Sequence, residues 1–145
     1  EAAWNAVVER HDMLRAVFTD DGRQRVLPGV PAYAFGREDV RGFAADDREA
    51  RLASVRERIA GHVREPEAWP LFEIATTRLD EERTRIHVAI DLLIADGTTL
   101  GRIVDEWGAL YRDEKAGLAL PGVSFRDYVG ALERVEESVG FVAAR

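Results

Sequence analysis

Apolar residues along this chain recur at two spacings, and the changes of spacing mark out the elements. Trp4, Val7, Val8, His11 and Leu14 fall at helical intervals, which predicts an amphipathic helix over about residues 2–14 with His11 on its apolar stripe. Arg15 to Thr19 then reads as a short strand, Asp20-Asp21-Gly22 as a turn, and Gln24 to Leu27 as the returning strand. Pro28, Gly29 and Pro31 break the chain, and Tyr33-Ala34-Phe35 reads as one more short strand. Asp46 or Asp47 is placed to cap the next helix, with Leu52, Val55, Ile59 and Val63 as its apolar seam. Arg48, Arg51, Glu57 and Arg58 form its solvated face, and Pro66 and Pro70 are expected to end it.

The second half of the pattern is sharper. Leu71 to Leu79 reads as a strand, Asp80 to Arg83 as a polar loop, and Thr84 to Leu93 as a partner strand. In that partner Ile86, Val88, Ile90 and Leu92 alternate with Arg85, His87, Ala89 and Asp91, which sets Asp91 on the opposite face from Leu92. After Gly97, the positions of Leu100, Ile103, Val104, Trp107, Leu110 and Tyr111 describe one helical stripe. A loop through Gly117 and Pro121 leads to a last helix from about Ser124, with Phe125, Tyr128, Val129, Leu132 and Val135 on one side. Helices and antiparallel hairpins in this order predict an α+β sandwich, helices packed on a mostly antiparallel sheet.

Chemistry concentrates where the strand ending near Leu93 meets the helix starting near Gly97. Asp91, Asp96, Thr98 and Thr99 are gathered there, and strand-to-helix junctions commonly carry binding and catalytic groups. Asp96 before Gly97-Thr98-Thr99 suits an ordinary helix cap, or a buried carboxylate paired with Arg10 or Arg15, and the two are compatible. Asp91 suits an exposed strand end as well as a charge lining a cavity. Thr99 lies in the first helical turn, either a residue of the helix start or one facing a substrate. His11, His62 and His87 show no metal-ligand spacing, and His11 on an apolar stripe reads as a packed histidine.

Composition narrows the classes. The chain has 145 residues, 46% of them hydrophobic, enough for one domain or one lobe with a core. Net charge is −7 with no basic run, which argues against nucleic acid as partner. No apolar run is long enough to span a bilayer. The absence of cysteine excludes disulfides, thiolate ligands and a cysteine nucleophile, and fits a cytoplasmic setting. No phosphate-binding glycine loop or nucleophile elbow appears. The chain opens at Glu1 inside a helical pattern and reads as a fragment or a trimmed chain.

Four segments, in order, resemble the condensation-domain superfamily of nonribosomal peptide synthetases, and within it the heterocyclization domains. Arg10-His11-Asp12-Met13-Leu14-Arg15-Ala16-Val17-Phe18 resembles the superfamily's early Arg-His-x-x-Leu-Arg-x-x-Phe motif. Trp69-Pro70-Leu71-Phe72-Glu73-Ile74 is similar to the Trp-Pro-Leu-Phe segment of heterocyclization members. Asp91 to Thr99 resembles their signature of two aspartates five positions apart followed by a serine three further on, and Ser124 to Val129 their Ser-Phe-Arg-Asp-Tyr segment. Amide-forming relatives carry His-His-x-x-x-Asp-Gly at the junction; here Asp91 and Leu92 stand for the two histidines, while Asp96 and Gly97 keep the tail. Thr99 stands where serine is usual. The family's first motif and its C-terminal lobe are absent from residues 1–145, which therefore read as an N-terminal lobe.

The resemblance implies a chloramphenicol-acetyltransferase-like αβα lobe. It implies condensation of a carrier-bound acyl thioester with carrier-bound cysteine, serine or threonine, then cyclodehydration to a thiazoline or oxazoline. The groups assigned to dehydration in the family lie on the other lobe. By resemblance, Asp91, Asp96 and Thr99 are the catalytic signature residues, Asp91 and Thr99 at the tunnel wall near the reacting centre and Asp96 structural through a salt bridge that holds the site. Leu92 and Thr98 line the substrate tunnel, and Arg10, His11 and Arg15 support the site from behind. No cofactor is bound directly; substrates arrive on phosphopantetheine arms. The implied partners are the C-terminal lobe, upstream and downstream carrier domains, and an adenylation domain of the same assembly line. The competing readings are a lobe that docks carriers without chemistry, and an ordinary condensation domain that has drifted. The fragment alone is expected to be inactive and to expose apolar surface.

Overall fold

The computed structural model describes residues 1–113, 117–118 and 122–136. The chain divides into a unit of Glu1–Lys115 and a second of Ala116–Arg145.

Helix α1 spans Ala2–Arg10 and buries Ala3, Trp4, Val7 and Val8. The predicted continuation to Leu14 does not occur. His11 leaves the helical region at φ −105°, ψ 107°, and Asp12–Arg15 forms a separate 3₁₀ turn. The reason lies in Arg15, whose guanidinium folds back to donate to the carbonyl of Val8 at 2.6 Å and to that of Glu9. These are C-terminal carbonyls that a helix end leaves without intrahelical donors. His11 thus sits at the end of α1, at the helix boundary and not on a continuing stripe.

Strands β1 (Ala16–Phe18) and β2 (Gln24–Val26) form the expected antiparallel hairpin, turned through Gly22 at φ +76°. The next strand begins later than Tyr33-Ala34-Phe35 suggested. The backbone there is held to α1 by side chains: Asn5 Oδ1 accepts the Tyr33 amide at 2.7 Å, and Glu1 Oε1 accepts that of Phe35 at 2.8 Å. Strand β3 is Gly36–Asp39. Its Gly-Arg-Glu-Asp sequence has no apolar alternation, as expected of an exposed edge. A Cβ on Gly36 would lie 3.3 Å from the Cβ of Ala75, so this position favours the smallest residue.

Helix α2 (Ala45–Gly61) crosses from β3 to strand β4 (Phe72–Arg78), which runs parallel to β3 as such a helical crossover allows. Ala44 is its N-cap, without a side-chain cap; Asp46 and Asp47 lie in the first turn instead. The helix stops at Gly61, ahead of both prolines, and leaves Val63 exposed. Strand β5 (Thr84–Ile90) pairs antiparallel with β4 and stops before Asp91. The three-stranded sheet thus has the order β3-β4-β5, with one parallel and one antiparallel pairing. Helix α3 is Gly97–Arg112. In the second unit, helix α4 (Phe125–Glu136) opens on Ser124, whose hydroxyl accepts the Asp127 amide at 3.1 Å while Asp127 accepts back from Ser124.

The Glu1–Lys115 unit is an αβα lobe. Val55 and Ile59 of α2 pack on Ala75 and Ala89, covering one face of the sheet. On the other face Trp4 of α1 meets Phe72 at 5.1 Å and Trp107 of α3 at 4.9 Å, both edge to face. Tyr33 and Trp69 close on Phe72 at 4.9 and 5.9 Å, and each such contact adds about 0.5–1.5 kcal/mol beyond burial. This cover does not extend to β5. Val88 pairs opposite the buried Ile74, yet Ile86 and Val88 remain 51% and 45% exposed. The side of β5 that packs inward carries Ala89, and on it His87 lies 3.1 Å from the hydroxyl of buried Thr77.

Candidate functional site

The junction between β5 and α3 is built from its own side chains. The Asp91 amide donates to the Leu71 carbonyl at 2.9 Å, which ties the end of β5 to the residue before β4. Its carboxylate accepts the Leu93 amide at 2.9 Å, and its carbonyl accepts the Ile94 amide at 3.1 Å. An aspartate bonding backbone two residues on makes a tight turn without help from glycine. The turn sends Leu92 outward, 79% exposed, and seats Ile94 and Ala95 in the core. The strand alternation therefore stops at Ile90; Asp91 and Leu92 are placed by the turn.

Asp96 caps α3. Its Oδ1 accepts the Thr99 amide at 2.7 Å and its carbonyl accepts the Leu100 amide at 2.9 Å. The expected salt bridge to Arg10 or Arg15 gives way to this cap. Those arginines turn to other carboxylates, Arg10 to Glu106 at 2.8 Å and Arg15 to Asp12 at 2.7 Å. The reason is reach: Asp96 is exposed at the helix start, while both arginines serve the end of α1. The Thr99 amide and hydroxyl hold the Asp96 carboxyl below the ordinary aspartate value. A carboxylate so held carries no proton to donate at neutral pH, so Asp96 is unsuited to act as a general acid. Thr98 is exposed and Thr99 half-buried in the same first turn. Asp91, Leu92, Asp96, Thr98 and Thr99 thus all lie in the junction that leads into α3, and none of them is buried.

Arg10 and His11 act one layer away from that junction. Arg10 Nε and His11 Nε2 both reach Oε2 of Glu106 on α3, at 2.8 and 2.7 Å. Arg102 Nε stands 3.5 Å from the other oxygen. Burial alone would raise the Glu106 carboxyl, but the hydrogen bonds from His11 and Arg10 outweigh it and hold the group below the ordinary glutamate value. Arg15 binds the carbonyls of α1 and, through Nε, that of Leu27 at 3.2 Å. All three early residues therefore fix α1 and its seat against α3 or β2. Glu106 escaped the sequence reading because a lone glutamate on a helix looks solvated. The signal available was its place seven residues beyond Thr99, on the same helical face.

A second carboxylate hub lies on the α2 side. Glu73 of β4 receives Arg58 and His62 Nδ1, the latter at 2.8 Å, with Arg64 at 3.5 Å. It pins the C-terminal end of α2 to the sheet. Burial would raise its carboxyl; the bonds from His62 and Arg58 prevail and lower it.

With this geometry in place, the likeness to known proteins is specific. Residues 1–145 match the condensation domain family. The chain is 35% identical over 138 residues to pyochelin synthetase PchF of Pseudomonas aeruginosa, covering 95% of this chain and 8% of that protein. It is 36% identical over 137 residues to phenyloxazoline synthase MbtB of Mycobacterium tuberculosis, covering 93% of this chain and 9% of that protein. The chain thus spans less than a tenth of either synthetase. The solved cyclization-docking bidomain of the EpoB synthetase from Sorangium cellulosum superposes with a TM-score of 0.85 at 39% identity, over 94% of this chain and 27% of that one. With its αβα lobe and its Asp91–Thr99 junction, this chain belongs to the condensation domain family of nonribosomal peptide synthetases.

Proposed function

We propose that the chain forms the N-terminal lobe of a heterocyclization domain. That domain joins a carrier-bound acyl thioester to carrier-bound cysteine, serine or threonine and then closes a thiazoline or oxazoline ring. The observation that carries this reading is Leu92. It stands exposed at the turn where an amide-forming relative has its second histidine, and a leucine moves no proton. Asp91, Asp96 and Thr99 are kept around it, which argues against simple decay of the site. Likeness to a phenyloxazoline synthase and to a cyclization domain supports the same direction.

In this reading the amine of the downstream substrate attacks the upstream thioester, and its side-chain thiol or hydroxyl then attacks the new amide carbonyl. The resulting oxygen leaves as water, a step that needs a general acid. Asp96, held anionic as a cap, does not supply it; the acid belongs to the C-terminal lobe. Leu92 and Thr98 wall the tunnel, while Asp91 and Thr99 present polar groups at its edge. Substrates arrive on phosphopantetheine arms of carrier domains in the cytoplasm, beside an adenylation domain, and the lobe alone is inactive.

The test is a reconstitution of the full domain between its carriers, the downstream one loaded with cysteine, serine or threonine. Intact-mass spectrometry should show amide formation followed by loss of one water. Amide without water loss would leave plain condensation, and no amide would leave a carrier-docking lobe.

A further inference from the structure

Helix α3 is held to the rest of the lobe by a short row of apolar contacts, in which the Trp107 ring meets Trp4 at 4.9 Å and Phe35 at 5.9 Å. Of its 16 residues only Ile103 and Leu110 are buried, while Val104 and Tyr111 of the predicted stripe are exposed. Its first turn is mostly solvated, with Gly97 and Thr98 exposed. Upstream, the buried pair Ile94 and Ala95 anchors the approach to the helix. Downstream, the strongest polar anchor is Glu106. Its side chain is 12% exposed, and those of Arg10 and His11, which meet it on one oxygen, are 13% and 15% exposed.

We propose that Glu106 is a positioning residue: by clasping Arg10 and His11 it sets the rotation and axial placement of α3, and so the position of Thr99 and Asp96 at its head. Thr99 and Glu106 are seven residues apart, two turns along one face and about 10 Å in rise. With Ile103 lying between them, a helix released at Glu106 pivots about Ile103, and the first turn moves. Removing the carboxylate also takes away the one oxygen that Arg10 and His11 share, at 2.8 and 2.7 Å. The geometric statement stands on the lobe alone, and only its catalytic consequence rests on the function proposed above.

The test compares Glu106→Gln and Glu106→Asp in the full-length protein. Gln keeps the shape but cannot balance two donors; Asp keeps the charge. Hydrogen exchange is read by mass spectrometry on peptides covering Asp96–Ile103 and, as control, β4. The expected result is at least tenfold faster exchange at the head of α3 in Glu106→Gln, unchanged exchange in β4, and near-normal behaviour in Glu106→Asp. In the carrier assay, kcat for amide formation falls about tenfold in Glu106→Gln at unchanged KM for the loaded carriers. Faster exchange in both peptides together would reduce Glu106 to a general stabiliser and overturn the proposal. So would unchanged exchange, or loosened exchange with unchanged kcat. A wild-type domain that forms no amide would defeat the functional reading, and the exchange data would still decide the positioning role.

Discussion

The indole Nε1 of Trp69 donates to the main-chain carbonyl of Leu14 at 3.0 Å, across 55 positions of sequence. The bond joins the Trp-Pro-Leu-Phe segment to the Arg-His-x-x-Leu-Arg segment. Two motifs that look independent along the chain are one packed unit, with Leu14, Leu71 and Phe72 all buried beside it.

Trp69→Phe keeps most of the ring packing and deletes the donor. The buried Leu14 carbonyl then loses its indole partner, and stability should fall by about 1–2 kcal/mol. Trp69→Ala, which also loses the contacts with Tyr33 and Phe72, should cost about 3–5 kcal/mol. Urea denaturation followed by circular dichroism checks both values; equal losses would show that the hydrogen bond dominates.

Glu73 predicts an acid limb of the stability profile. Its folded carboxyl lies below its unfolded value near 4.5, so its contribution is fully present above that pH. It is lost as pH falls through the lowered folded value. Arg58 and His62 are more than half exposed, so solvent screens the hub and Glu73→Gln should cost only about 1–2 kcal/mol at pH 7. The difference between the variant and the parent protein should shrink in melts taken below pH 4.

Asp96 predicts a split between Asn and Ala. Asp96→Asn retains an oxygen for the Thr99 amide and should leave the head of α3 intact. Asp96→Ala should speed exchange of the Thr99 amide about fivefold, the loss typical of a removed cap. Because its folded carboxyl is lowered, the charged cap persists at pH 3.8 and is lost only below it. Exchange rates that match in the two variants would mean the cap bond contributes nothing.

The uncovered row on β5 predicts self-association. Ile86 and Val88 lie two positions apart on one face of an edge strand, both about half exposed, and Leu92 stands out from the turn beyond. The 145-residue chain in isolation should form dimers or larger species, and Ile86→Lys with Val88→Lys should shift light scattering towards monomer. A monodisperse, monomeric parent chain would contradict this.

The sequence by itself determined the elements whose periodicity was strong. Helix α3 itself, the seam of α2 through Leu52, Val55 and Ile59, the β4–β5 hairpin and the cap at Asp96 all follow from local spacing and side-chain chemistry, although Val104 and Tyr111 of the α3 stripe stay exposed. Motif order was enough for the family. Tertiary structure decided what local spacing does not encode. Arg15 ended α1 early by reaching back to its carbonyls, and Asn5 and Glu1 held residues 33–35 out of the sheet. The parallel strand β3 formed because a neighbour 39 residues away supplied its partners, with Gly36 beside Ala75. Arg10 and His11 met Glu106 and not Asp96, because a charged pair forms between groups that the packed layers bring together, and spacing along one helix gives no account of which helix will lie across it.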